Sequence, residues 1–190
     1  IQFHVFNAIK KSADFHLADS ASAIVLSANG EILALANYPA GDPNDHQSYD
    51  PEDYRNRVLA DKIEPGSTMK PFTVLLALEK GVITATEDEL IDVSKSIGHV
   101  KTNRDVRRYG DAITVKKILE KSHNLGTVNI MERLEAQDVY KAWQLLGFGE
   151  YQGLMPSIEN PGVLRHYSTW GIIDKRTIAF GHGPMNTNLA

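Results

Sequence analysis

Ser67 and Lys70 stand three residues apart, where Pro65-Gly66 breaks the chain and an apolar run begins. A serine hydroxyl is a weak nucleophile until a base removes its proton. A lysine can be that base when burial or a neighbouring cation lowers its pKa. Three-residue spacing at a helix start puts both side chains on one face, one turn apart. The free N–H groups of a helix N-terminus also favour negative charge developing beside them. A bare Ser-x-x-Lys, however, arises by chance more often than by design, as a helix that begins with Ser and carries Lys in its first turn. Ser122 and Asn124 form a second pair. A hydroxyl near the lysine can relay a proton to a leaving amine, and an asparagine amide offers a donor and an acceptor to a substrate amide. The competing reading is a Ser/Asn turn capping the next helix.

The elements that must position these residues follow from periodicity. Ile1, Val5, Phe6 and Ile9 share one helical face over residues 1–17. Residues 23–26 and 32–35 flank Asn29-Gly30 and predict a hairpin. Residues 37–57 read as a long polar loop. Thr68 to Leu78 predicts a helix apolar all round and therefore buried, stopped by Gly81. Thr114 caps a predicted helix through Lys121, and two more cover 126–134 and 137–146. Residues 84–112 and 150–171 lack periodicity. Asp174 reads as the cap of a short turn before Ala179 to Gly183.

Composition narrows the chemistry. The chain has 190 residues, 42% hydrophobic and 23% charged, within the globular range. A net charge of −4 is the wrong sign for a general nucleic-acid binder, and Arg104 to Arg108 is the densest basic stretch. With no cysteine, thiol catalysis, disulfides and Cys-based metal sites are excluded. The seven histidines (His4, His16, His46, His99, His123, His166, His182) show no metal-ligand spacing, so no metal site is expected. Gly147-Phe148-Gly149 is no dinucleotide fingerprint, because no strand precedes it. Trp143, Trp170 and Tyr109 read as packing residues, and Glu87 to Glu89 as a solvated acidic run. No apolar run is long enough to span a bilayer.

The string Glu64-Pro65-Gly66-Ser67-Thr68-Met69-Lys70-Pro71-Phe72 resembles the active-site serine motif of the class B, monofunctional penicillin-binding proteins. Further likenesses follow in that family's order. Ala23 to Pro39 resembles its opening hairpin, and Asn56-Arg57 with Asp61 its lead-in. Ser122-His123-Asn124 matches its S-x-N motif, followed by Leu125-Gly126-Thr127. Leu146 to Gly149 resembles its glycine-aromatic turn. Pro156 and Gly162 stand at its proline–glycine loop. Ala179-Phe180-Gly181-His182-Gly183 resembles its small-Phe-Gly-x-Gly segment. The resemblance covers nearly the whole chain, and its serine region is closer to division-type members than to elongation-type ones.

The resemblance implies an α/β (α+β) fold of the penicillin-recognising serine type, an antiparallel sheet flanked by helices, with residues 1–190 as a partial transpeptidase domain. It implies peptidoglycan D,D-transpeptidation through an acyl-enzyme on Ser67, with Lys70, Ser122 and Asn124 as catalytic partners. Gly181, His182 and Gly183 would touch substrate. Stem peptides, β-lactams, and a membrane glycosyltransferase with its division or elongation proteins are the implied partners. The implied location is the extracytoplasmic side of a bacterial inner membrane, with an anchor before Ile1. The family's Lys-Ser/Thr-Gly motif is not found. Lys95 to Gly98 and Lys101-Thr102-Asn103 precede Ser122 and fail the pattern, so the motif and the last strands are expected past Ala190. Pro184 to Asn188 lacks the usual Thr-Pro, and the 155–162 loop is one residue longer than common. His123 is assigned to packing or to solvent, and His182 to packing before the cleft wall. A serine β-lactamase, a β-lactam sensor and a non-catalytic scaffold remain as alternatives.

Overall fold

A computed structural model of the chain describes residues 1–42, 44–45, 50–86, 89–94 and 110–190. It divides into two compact units. The first is Ile1–Ile63, Tyr151–Pro161 and Thr187–Ala190; the second is Glu64–Glu150 and Gly162–Asn186.

In the first unit, helix α1 (Gln2–His16) packs on an antiparallel hairpin, β1 (Ala21–Leu26) with β2 (Ile32–Tyr38). The Gln2 amide extends the sheet's bonding: its Nε2 donates to Leu35 O at 2.7 Å and its Oε1 accepts from Leu35 N at 2.8 Å. Both strands outrun the predicted 23–26 and 32–35, and the turn spans 27–31 with only Gly30 at positive φ (84°). The polar stretch after β2 is not all loop. Asp50 caps a 3-10 turn, Pro51–Tyr54, by accepting from Glu52 N at 3.0 Å. A short helix α2 (Arg57–Ala60) follows and buries Val58 and Leu59. Asp61 pairs with Arg55 at 2.6 Å and with Arg57 at 3.6 Å, which gives the Asn56-Arg57-Asp61 lead-in a structural task.

The second unit holds the main core. A 3-10 turn, Gly66–Met69, runs into α3 (Lys70–Glu79). Strand β3 (Leu90–Asp92) pairs with β4 (Ala112–Thr114). Then come α4 (Val115–Glu120), α5 (Asn124–Glu132), α6 (Ala136–Leu145), β5 (Val163–Leu164), α7 (Ile172–Ile178) and β6 (Met185–Asn186), with β5 and β6 antiparallel. Met69, Val74, Ile118, Leu125, Ile130, Val139, Trp143 and Ile178 meet in one buried cluster. Gly126 lets α4 and α5 approach, since a Cβ there would lie 2.6 Å from the Ile118 side chain. The fold is thus mixed, with every strand pair antiparallel, as three two-stranded sheets among the described residues.

Several expectations need correction. Helix α3 is not buried all round, because Leu75 is 61% exposed and Phe72 also faces out. Its first predicted turn is 3-10, not α. Asp174 is not the cap residue of α7. It sits at the third helical position and accepts from Gly171 N at 3.0 Å. Glu89 is not merely solvated, for it pairs with Arg133 at 2.9 Å, and that hydrogen bond holds its carboxyl below the usual range. His46, His99, Tyr109, Glu87, Asp88, Lys95 to Gly98, Lys101 to Asn103 and Arg104 to Arg108 lie outside the described residues.

Trp143 is 1% exposed on the one-sided helix α6. Trp143→Ala should lower unfolding free energy by about 3–5 kcal/mol, the range for deleting a buried aromatic. Urea denaturation followed by far-UV circular dichroism checks it.

Candidate active site

All seven residues singled out from the sequence lie in the second unit. Ser67 stands exposed in the 3-10 turn, and the Lys70 N–H donates to Ser67 O. A 3-10 turn has three residues per revolution, so positions 67 and 70 eclipse on one side. Pro71, at the second position of α3, has no N–H to leave unpaired. Met69 is buried beside the turn and anchors it in the core.

Lys70 is 2% exposed. Its Nζ lies 2.5 Å from Ser122 O, 2.9 Å from Ser122 Oγ and 2.5 Å from Asn124 Oδ1. An ammonium has three N–H donors and no acceptor, so three oxygens satisfy it fully. Burial nevertheless penalises the charged form and lowers the pKa from 10.5 to about 8. A neutral amine would keep two donors and offer a lone pair. The Ser122 hydroxyl can then reverse its bond and donate to Nζ. A buried amine with a lowered pKa, three positions after an exposed serine, has the chemistry of a proton acceptor, and the Ser122 hydroxyl in hydrogen-bond contact with it has that of a conduit.

The Ser122 geometry comes from a helix end meeting a helix start. Helix α4 closes with His123 N donating to Ile118 O at 2.9 Å and Ser122 N to Leu119 O at 3.1 Å. This is the double bond pattern that places the next residue in the left-handed region, here Ser122 at φ 49°. Two residues on, Asn124 opens α5. His123 is buried, not solvent-facing, and caps α5 by accepting from Gly126 N at Nδ1 (3.0 Å). The segment caps a helix, through His123 rather than through Ser122 or Asn124, and it also delivers three oxygens to Lys70.

The 181–183 segment lies against the serine turn. Gly66 N donates to Gly181 O at 3.0 Å, and Thr73 Oγ1, from the buried side of α3, donates to Ala179 O at 2.9 Å. A Cβ on Gly181, whose φ is 75°, would come within 2.3 Å of Gly66 O. His182 packs its ring against Phe180 at 5.4 Å between centroids, but it is not buried. It stands half exposed with Nδ1 2.7 Å from the Glu64 carboxylate. Glu64 and Thr73 are the participants that sequence reasoning missed: Glu64 was visible only as the first letter of the serine string, and Thr73 only as one more residue of an apolar helix. No group of His, Asp or Glu among the described residues could hold a metal ion.

Residues 21–190 match the penicillin-binding protein transpeptidase domain. The chain belongs to this family. It is 37% identical over 184 residues to the "Probable peptidoglycan D,D-transpeptidase PenA" of Neisseria gonorrhoeae, covering 96% of this chain and 31% of that protein. To the "Peptidoglycan D,D-transpeptidase FtsI" of Escherichia coli K12 it is 31% identical over 190 residues, 100% of this chain and 32% of that one. Among solved structures, the apo TP domain of Burkholderia pseudomallei penicillin-binding protein 3 superposes with a TM-score of 0.77 at 26% identity. That match covers 98% of this chain and 52% of that one. A peptidoglycan glycosyltransferase from Burkholderia ambifaria gives 0.79 at 26% identity over 98% and 55%. The penicillin-binding transpeptidase fold expected from the sequence is therefore present. The chain spans about a third of the length of the curated relatives it matches.

Two substitutions test the geometry. Ser122→Gly should lose about 1–3 kcal/mol, the cost of removing the Oγ acceptor from buried Lys70, with no backbone strain added because glycine enters the left-handed region freely. Ser122→Val should lose about 2 kcal/mol more, since a β-branched residue is strained there. Chemical denaturation of the three chains side by side checks both.

Proposed function

We propose that the chain carries the acylating centre of a peptidoglycan D,D-transpeptidase, with Ser67 as nucleophile, Lys70 as base, Ser122 as proton relay and Asn124 as the substrate-amide contact. The observation that carries this reading is the buried Lys70 Nζ, held by Ser122 and Asn124 one turn behind an exposed serine. Ser67 Oγ attacks the carbonyl between two terminal D-alanines of a stem peptide while Lys70 takes its proton. The Ser67 N–H, at the start of the helical run, is one donor for the oxyanion. The proton passes through Ser122 to the departing D-alanine amine as the peptide C–N bond breaks. An amine of a second stem peptide then attacks the acyl carbonyl. The new amide forms, the C–Oγ bond breaks, and the proton returns to Ser67. No metal or organic cofactor enters this scheme.

The Gly181–Gly183 backbone forms the wall beside the nucleophile and contacts the stem peptide. Stem peptides lie outside the cytoplasmic membrane, so the site of action is its extracytoplasmic face. The working partners there are the glycosyltransferases that make the glycan strands, with division-type regulators before elongation-type ones. No helix among the described residues is long and apolar enough to cross a membrane.

The first test is intact mass after incubation with benzylpenicillin, in the natural full-length polypeptide. A stoichiometric adduct retaining the whole antibiotic is expected, and none on Ser67→Ala. Absence of the parent adduct overturns the reading in favour of a scaffold, and rapid release of hydrolysed antibiotic in favour of a β-lactamase. The pH profile supplies a second prediction. Lys70 acts as base only when neutral, so the second-order acylation rate should climb about tenfold per pH unit below 8 and level off above it. Stopped-flow with a fluorescent penicillin between pH 5.5 and 9.5 checks the direction and the midpoint.

A further inference from the structure

The roles given to Ser67, Lys70, Ser122 and Asn124 leave one charged group beside the nucleophile unused. Glu64 lies three residues before Ser67 and 118 residues from His182 in sequence. Its carboxylate bridges two chain segments. Oε2 takes the His182 Nδ1–H at 2.7 Å, and Oε1 accepts from Gly183 N at 3.2 Å. Both bonds hold its carboxyl below the usual range, His182 contributing more than Gly183, so the group is anionic at neutral pH. Between the same two segments runs the Gly66 N to Gly181 O bond, at a place where no side chain fits. The far side of the arm is fixed by Thr73 Oγ1 on Ala179 O and by His182 N on Thr177 O at 3.1 Å. The contacts form a closed ring: Glu64, Gly66, the Ser67 turn, α3 through Thr73, then Ala179 to Gly183, and back to the Glu64 carboxylate. Glu64 closes the ring on the side before Ser67, as Thr73 does on the side after it, each through a side chain.

We propose that Glu64 is a positioning residue, whose carboxylate clamps Gly181–Gly183 against the Gly66–Ser67 turn and thereby sets the orientation of the Ser67 hydroxyl and N–H for attack. This rests on Ser67 being the nucleophile. The clamp is not a stability device. Glu64 and His182 keep 51% and 45% of their side chains exposed, and ion pairs that open to water add little to global stability. Its effect is on geometry, where a misplacement of about 1 Å can cost about a hundredfold in rate.

The experiment measures acylation of the natural full-length polypeptide by a fluorescent penicillin, resolving the limiting rate from the half-saturating concentration. Glu64→Ala should lower the limiting rate by about tenfold or more, with half-saturation within about threefold of the parent and the melting temperature within about 2 °C. Glu64→Gln restores the rate to within about threefold. Its amide oxygen accepts from Gly183 N, and its amide N–H donates to Nδ1 of the other His182 tautomer. The proposal is overturned if Glu64→Ala acylates within about twofold of the parent, if its loss merely follows a fall in melting temperature, or if Glu64→Gln is as impaired as Glu64→Ala. A parent chain that is never acylated fails earlier and differently, by removing Ser67 as nucleophile.

Discussion

Burying one ammonium is the constraint around which the second unit is arranged. A lysine 2% exposed needs an acceptor for each N–H, or it costs several kcal/mol in desolvation. Three oxygens from Ser122 and Asn124 provide them, at separations of 52 and 54 residues from Lys70. They satisfy its donors, while burial still penalises the charged form and lowers the pKa to about 8. Were the pocket wetter, the amine would stay charged well above neutrality and could not accept a proton. Were it empty of oxygens, the lysine would not be held beside the serine. The base proposed for acylation lies between these limits, and in that proposal the same contacts serve folding and proton transfer.

That pocket depends on two helix junctions. Lys70 is the first residue of α3 because the 3-10 turn hands over to α geometry at that point. The turn puts Ser67 three residues earlier, one 3-10 revolution away on the same side. On the opposite side, α4 ends and α5 begins with two residues between Lys121 and Asn124. The chain reverses in so short a span only through a left-handed residue, and Ser122 takes that conformation with both its carbonyl and its hydroxyl aimed at Nζ. Glycine is the ordinary occupant of such a cap. Serine there accepts backbone strain in exchange for an oxygen, a trade that makes sense at a working site and nowhere in the ordinary core.

The motifs were legible because they are local in sequence and their chemistry is explicit in residue type. Ser67, Lys70, Ser122 and Asn124 could be named before any geometry, and the structure brings Lys70, Ser122 and Asn124 into contact. The helices were legible where apolar residues repeat over three turns, as in α1, α6 and the cap at Thr114. Other features escaped for definite reasons. Strands β3 to β6 are two or three residues long, too short for alternation to register. The exposure of Leu75 was hidden because an apolar run carries no information about which face lacks a neighbour. His123 reads as any polar residue until the α5 amide it caps is in view.

Glu64 escaped for a different reason. A glutamate before Pro-Gly has no recognisable partner at any regular spacing, and the partner lies 118 residues away in a segment whose glycines look like a simple turn. The backbone contact between Gly66 and Gly181, backed by Thr73 on Ala179 O, brings the two together. That contact needs glycine on the 181 side, where a Cβ would meet Gly66 O at 2.3 Å. Once two backbones touch so closely, the residues flanking them must also meet, and their side chains decide how firmly the contact is held. A tight glycine crossing next to the Ser67 turn therefore directs attention to its flanks. Here the flanks are a carboxylate, an imidazole and an N–H, and their pairing follows from the crossing itself.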